Sequence, residues 1–298
     1  MNPLDGVRVV ALAVNLPGPL AAARLRDLGA AVAKVEPPAG DPLFHARPGW
    51  YAELTAGQEI RRLDLKQPAD RGRLEELLRP ADLLLTSARP PALHRLGLSW
   101  PELHARHPRL CHVALVGELP PRDDAPGHDL TYQARLGLVD PPHLPRSLLA
   151  DLAGAEEAVS AALALLLGRE RGQEAGHAVV SLAAAAERFA RPLREGLTAP
   201  GGMLGGGLPG YGLYRASDGW VAVAALEPHF WQRLQAELGL SDASRAELEA
   251  AFRRQPARWW EEWAAGRDLP VVAVAAGSTA DPAGINPAAR EARGEPLA

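Results

Sequence analysis

The sequence contains a single cysteine, Cys111, and only two lysines, Lys34 and Lys66, in 298 residues. One thiol closes no internal disulfide and cannot supply the thiolate set of a structural zinc site, which excludes a disulfide scaffold and a Cys-rich metal module. A bilayer-crossing helix needs ~20 consecutive apolar residues, and the longest largely apolar stretch, residues 158–167, is half as long. The start, Met1 to Gly6, lacks the basic flank and apolar run of a signal peptide, so a cytoplasmic protein without a membrane span is expected. A surplus of positive charge is also missing. With 32 basic and 36 acidic residues the net charge is −4, which speaks against nucleic acid as a partner. The arginine-for-lysine bias accompanies abundant Ala, Gly and Pro and reads as a compositional habit rather than a binding device. What remains is ordinary globular material, 47% hydrophobic and 23% charged, long enough for one large domain or two modest ones.

The first hundred or so residues alternate short β-rich runs with helical ones. Residues 7–14 (VRVVALAV) form a continuous β-branched run, as a buried strand does. A loop at 15–19 leads to a helix over 20–28 that stops at Gly29. Further strands are predicted at 31–36, 60–65, 82–87 and 110–116, with a Gly/Pro-rich loop after Pro37-Pro38 and a helix over 68–78. Strands and helices alternating at these lengths predict an open, doubly wound, mostly parallel sheet, with ligands taken beyond the carboxyl ends of the strands. Later come a long Ala/Leu helix at 148–167, a strand at 177–182 and one helix over 183–194. A glycine-rich flexible loop or lid at 196–212 precedes a hairpin, 211–216 and 220–225, turned at Ser217-Asp218-Gly219. Helices at 227–238, 243–253 and 257–265 and a strand at 270–274 follow, then a loosely held tail at 277–298. The glycines at 201–207 follow no strand and open no helix, so they are not a phosphate cradle.

Three ionisable residues stand out by setting. His128, in Gly127-His128-Asp129, sits where a helix begins, and the positive potential there favours the neutral imidazole that a general base needs. The plainer alternative is that Asp129 caps that helix and His128 is a surface side chain. Asp151 lies near the front of the long apolar helix, either as a capping carboxylate or as one placed in a pocket to act as acid, base or nucleophile. Glu227 directly precedes Pro228 and is at least a first-turn anion. His104, His107 and His112 lie too far from acidic partners to be read as metal ligands. Cys111 reads as a small buried residue, and Trp259, Trp260 and Trp263 as core.

These segments together resemble the family III CoA-transferases, the CaiB/BaiF group, over roughly residues 3 to 275. The likeness is carried in order by Pro3-Leu-Asp-Gly-Val-Arg-Val-Val10, Pro17-Gly-Pro19, Leu28-Gly-Ala-Ala-Val-Ala-Lys-Val-Glu-Pro37, Leu63-Asp-Leu-Lys66, Arg89-Pro90 and Arg95-Leu-Gly-Leu98. Within the group, Gly127-His-Asp-Leu-Thr-Tyr132, Leu148-Leu-Ala-Asp-Leu-Ala-Gly154 and Ala225-Leu-Glu-Pro-His-Phe230 are similar to the segments that carry the catalytic histidine, aspartate and active-site glutamate of the α-methylacyl-CoA racemase branch. The resemblance implies racemisation at the α-carbon of an acyl-CoA, with His128 and Asp151 exchanging the proton and Glu227 in support. It leaves open a CoA-transferase using Asp151 as nucleophile, and a binding homologue without turnover. It further implies CoA contacts at Pro17, Lys34, Arg61, Arg62, Arg89 and Asp129. No metal or redox cofactor is implied, CoA being part of the substrate. The implied architecture is a large Rossmann-like domain over 1–185 and a smaller α+β domain over 186–265. The chain then returns to the first domain over about 266–298, and the whole forms an interlocked homodimer.

Overall fold

The computed structural model describes residues 2–242 and 244–275. The chain divides after Ala190 into two compact units. The first contains β1 (Arg8–Leu12), α1 (Pro17–Asp27), β2 (Ala31–Glu36), α2 (Pro42–Ala46), α3 (Pro48–Thr55), β3 (Glu59–Arg62), α4 (Pro68–Leu78) and β4 (Leu83–Thr86). It continues with α5 (Pro90–Arg95), α6 (Trp100–Arg106), β5 (Cys111–Val116), α7 (Asp129–Arg135), α8 (Leu149–Glu170), β6 (His177–Ser181) and α9 (Leu182–Phe189). The second contains α10 (Arg191–Arg194), β7 (Tyr211–Arg215), β8 (Trp220–Ala224), α11 (Pro228–Leu238), α12 (Arg245–Phe252), α13 (Ala257–Ala265) and β9 (Val271–Ala273).

In the first unit six strands pair in the order β3-β2-β1-β4-β5-β6, all parallel. Helices cover both faces, so the central strands are apolar on both sides. Leu83 and Leu85 face the core shared with α1 and α8, and Leu84 faces the core shared with α4 and α6. Cys111 is a buried free thiol in the first of these cores. The order runs outward in both directions from β1 and β4, so the topological switch point, where open α/β sheets take ligands, lies between these two strands.

The second unit is an antiparallel sheet, β7-β8-β9, with three helices around its own core of Tyr214, Val221, Val223, Leu234, Phe252 and Trp260. The expected hairpin is present, with Leu213 opposite Ala222. Trp260 is buried and its indole N–H donates to the Phe252 carbonyl at 2.8 Å, whereas Trp259, expected in the core, is exposed.

Several expectations change. Pro17–Pro19 is the first turn of α1 rather than loop, since a proline at the first position forfeits only an N–H that has no helical partner there. The stretch 37–58 contains two short helices. The single helix expected at 183–194 is two, because Pro192 cannot donate into a continued ladder, and the boundary between the units falls at this break. The glycine-rich stretch is wound on itself: a Cβ on Gly202, Gly205 or Gly207 would strike the carbonyls of Gly196, Ala199 or Gly201. Of the stretch expected to return to the first unit, about 266–298, residues 266–275 are described, and they belong to the second unit. β9 pairs with β8, Val223 opposite Val271, and Val271 is buried in the second core. The expected tail, 277–298, lies outside the described residues.

Candidate functional site

A cavity of about 230 Å³ opens at the switch point. Its walls come from the loops after β1 and β4, the end of β5, the start of α7 and the first turn of α8. The two loops are tied together where the Val14 N–H donates to the Ser87 hydroxyl at 3.0 Å. Asn15 takes a left-handed backbone, φ 67°, and its N–H donates to Asp41 Oδ1 at 3.2 Å.

His128 and Asp151 line this one cavity. His128 is exposed at the N-cap of α7, and the Thr131 hydroxyl fixes its backbone by accepting from its N–H at 3.1 Å. Asp151 is half-buried in the first turn of α8 and does not cap it. That task falls to Asp129, whose buried Oδ1 accepts from the N–H groups of Ala150 at 2.7 Å and Asp151 at 3.2 Å. Its Oδ2 accepts from Gln133 Nε2 at 2.5 Å. A carboxylate on one helix thus satisfies the orphan donors of another. This leaves the Asp151 carboxyl on the cavity wall, with no hydrogen bond from another side chain among the described residues. Burial raises its pKa to about 6, the adjacent Asp129 charge adds to the rise and His128 opposes it.

Tyr132 is a member of the cavity that the sequence reading missed. Its ring packs where Gly117 and Gly127 leave room, and a Cβ on either glycine would meet its hydroxyl. Burial, then the charges of Glu118 and Asp151, raise its pKa, so the hydroxyl keeps its proton and remains a donor. The available signal was its place four residues after His128, on the same face of α7.

The residues expected to contact CoA do not stay together. Pro17 and Arg89 line the switch-point cavity. Arg61 and Arg62 are exposed on the edge strand β3, where they line a separate cavity of about 550 Å³ with Arg73. Arg61 pairs with Glu59, and Arg62 lies 3.9 Å from Glu36. Two of the residues lie where a direct contact was not to be read from the sequence. Asp129 is buried with both oxygens engaged, so it positions α8 rather than meeting a ligand. Lys34 has no exposed surface: its ammonium lies 2.7 Å from Asp41 and 3.2 Å from Glu36 and reaches the Ala13 carbonyl at 3.3 Å. It neutralises two buried carboxylates and anchors the loop after β1. Tyr51 completes the cluster, donating to Glu36 at 2.6 Å. Glu227 belongs to the second unit, at the N-cap of α11.

Among the described residues no group of three or more His, Cys, Asp or Glu is arranged to hold a metal ion, and no helix is long and apolar enough to cross a membrane.

Comparison with known proteins gives the same architecture. A Mycobacterium tuberculosis protein named "Probable fatty acyl-CoA transferase Rv3272" is 29% identical over 81% of this chain and 70% of its own length. The human alpha-methylacyl-CoA racemase is 33% identical over 80% of this chain and 65% of its own length. The crystal structure of Rv3272 superposes with a TM-score of 0.82 at 28% identity, covering 94% of this chain and 86% of that one. The sequence profile of CoA-transferase family III matches residues 4–280, and the chain belongs to that family.

Proposed function

We propose that the protein interconverts the (2R) and (2S) forms of a 2-methylacyl-CoA by moving a proton at the α-carbon of the thioester. The observation that carries this reading is the pairing of His128 with Asp151 on one cavity, the carboxyl poised at about 6. In one direction neutral His128 removes the α-proton, the electron pair passes into the carbonyl to give an enolate, and protonated Asp151 delivers its proton to the opposite face of the same carbon. In reverse the roles exchange. The thioester is regenerated and the pair holds one proton before and after. A carboxyl with a pKa near 6 is present in both forms close to neutral pH, which suits a group that acts alternately as acid and base. The Tyr132 hydroxyl supplies a donor for the enolate oxygen, and Pro17 and Arg89 border the path of the CoA moiety. Glu227 is assigned a supporting role, and the active species is a homodimer.

A second reading has its own support in the uncommitted Asp151 carboxylate, which is free to attack the thioester carbonyl of an acyl-CoA, break its C–S bond with release of the CoA thiolate, and carry the acyl group as a mixed anhydride, as a CoA-transferase requires. Deuterium exchange at the α-carbon of a 2-methylacyl-CoA in heavy water separates the two. Racemisation predicts exchange by the wild type and its loss, by about a hundredfold or more, in His128→Ala and in Asp151→Ala. Absence of exchange together with hydroxylamine-trappable acyl on Asp151 overturns it in favour of transfer.

A further inference from the structure

On the sheet face away from α8 a second cavity of about 220 Å³ lies over β5 and β6. Two cross-strand pairs make its floor: His112 beside His177, and Ala114 beside Val179. Ala114 is the small residue between His112 and Val116 on that face, and its missing bulk leaves the hollow. Flat rings close one end. Trp100 stacks on His177 with centroids 5.4 Å apart, and His177 stacks on His112 at 4.7 Å, both nearly parallel. Leu93, Leu98 and Leu119 add aliphatic surface.

Two features mark this cavity as a place for a ligand. His112 is 1% exposed, its Nε2 lies 3.0 Å from the Thr86 hydroxyl, and its Nδ1 has no hydrogen-bond partner. Burial, with His177 adding to it, pushes its pKa down to about 3, so the ring presents a neutral face. Val179, on the edge strand, is 45% exposed where solvent alone would favour a polar side chain. The cavity also adjoins the one that holds His128 and Asp151, since Val116 and Asp123 line both.

We propose that the second cavity seats the distal, apolar end of the acyl group. The α-carbon lies between His128 and Asp151, and a compact tail passes Val116 to rest against the His112–His177 stack. This inference rests on the acyl-CoA reading given above. A cavity of about 150 Å³ lined by apolar side chains takes up benzene, so the space here suits a phenyl ring or a short branched alkyl group. Stacked imidazole and indole rings favour the phenyl ring.

Calorimetric titration of the intact protein with propionyl-CoA and 2-phenylpropionyl-CoA tests the assignment. Burial of the phenyl group should make the second thioester bind about tenfold more tightly or better. Val179→Trp, which fills the floor from an exposed edge position, and Leu119→Asp, which places a charge at the rim, should each remove most of that advantage. Equal affinity for both thioesters in the wild type, or an advantage that survives both substitutions, overturns the proposal. Binding is read without turnover, so tail-dependent affinity in a protein that exchanges no deuterium supports this seat while removing the racemase reading. No affinity for either thioester overturns both.

Discussion

The carboxyl groups of Asp151 and Asp129 stand side by side at the front of α8, and among the described residues only that of Asp129 is hydrogen-bonded there. Asp129 accepts the helix donors, and after burial its charge is the second cause that raises the Asp151 pKa to about 6. Asp129→Asn keeps a competent cap and removes the charge. The Asp151 pKa should then fall. Protonation of Asp151 removes the carboxylate that takes the proton in one direction, so the acidic limb of the pH–rate profile should move to lower pH. Exchange at pH 5 relative to pH 7 should rise about threefold, measured as kcat/KM. Asp151 also carries a stability consequence. Its pKa is raised from 3.8 to about 6 by folding. Between those values the native state binds more protons than the unfolded chain, so stability falls as pH rises through this window, and the penalty is complete above it. Asp151→Asn should stabilise the protein at pH 7.5 by about 1–2 kcal/mol, allowing for solvent screening, and by little below pH 4. Urea melts at the two pH values check this.

At the scale of elements, β2 and the loop after β1 depend on Lys34. Lys34→Met would leave Asp41 buried without a counter-charge and Glu36 with only Tyr51 and the more distant Arg62, and a loss of about 3–5 kcal/mol in urea denaturation is expected. That dependence was not legible in the sequence, because Asp41 reaches Lys34 through a turn that no periodicity announces. The central strands were legible: Leu83, Leu84 and Leu85 are apolar in succession because both sheet faces are covered. α2 and α3 escaped because short helices opened by proline look like loops. His128 and Asp151 were legible as ionisable groups at helix starts. The function of Asp129 was not, since a helix cap normally comes from within one turn and this one bonds across 21 residues.

At the scale of the whole molecule, the parallel order of six strands sets the crevice between β1 and β4, and the proposed proton pair, His128 and Asp151, reaches it from the N-cap of α7 and from α8. The second unit has its own core and presents Leu213, Ala222 and Val272 in register across the outer face of its sheet, with Leu213 and Val272 exposed. An apolar row of this kind accords with the proposed homodimer. Sedimentation equilibrium should give about twice the chain mass of 31.7 kDa. A monomer mass at micromolar concentration counts against it.

The cap that Asp129 provides has a consequence for how the protein can be rebuilt. The helix bearing one proton group is fastened directly to the helix bearing the other, and Gln133 reinforces the joint by donating to the Ser147 carbonyl at 2.9 Å. The connecting stretch between Gly137 and Arg146, largely exposed, therefore does not set their spacing. It is the place where the chain should tolerate lengthening, or new ends in a circular permutant, with His128 and Asp151 still aligned.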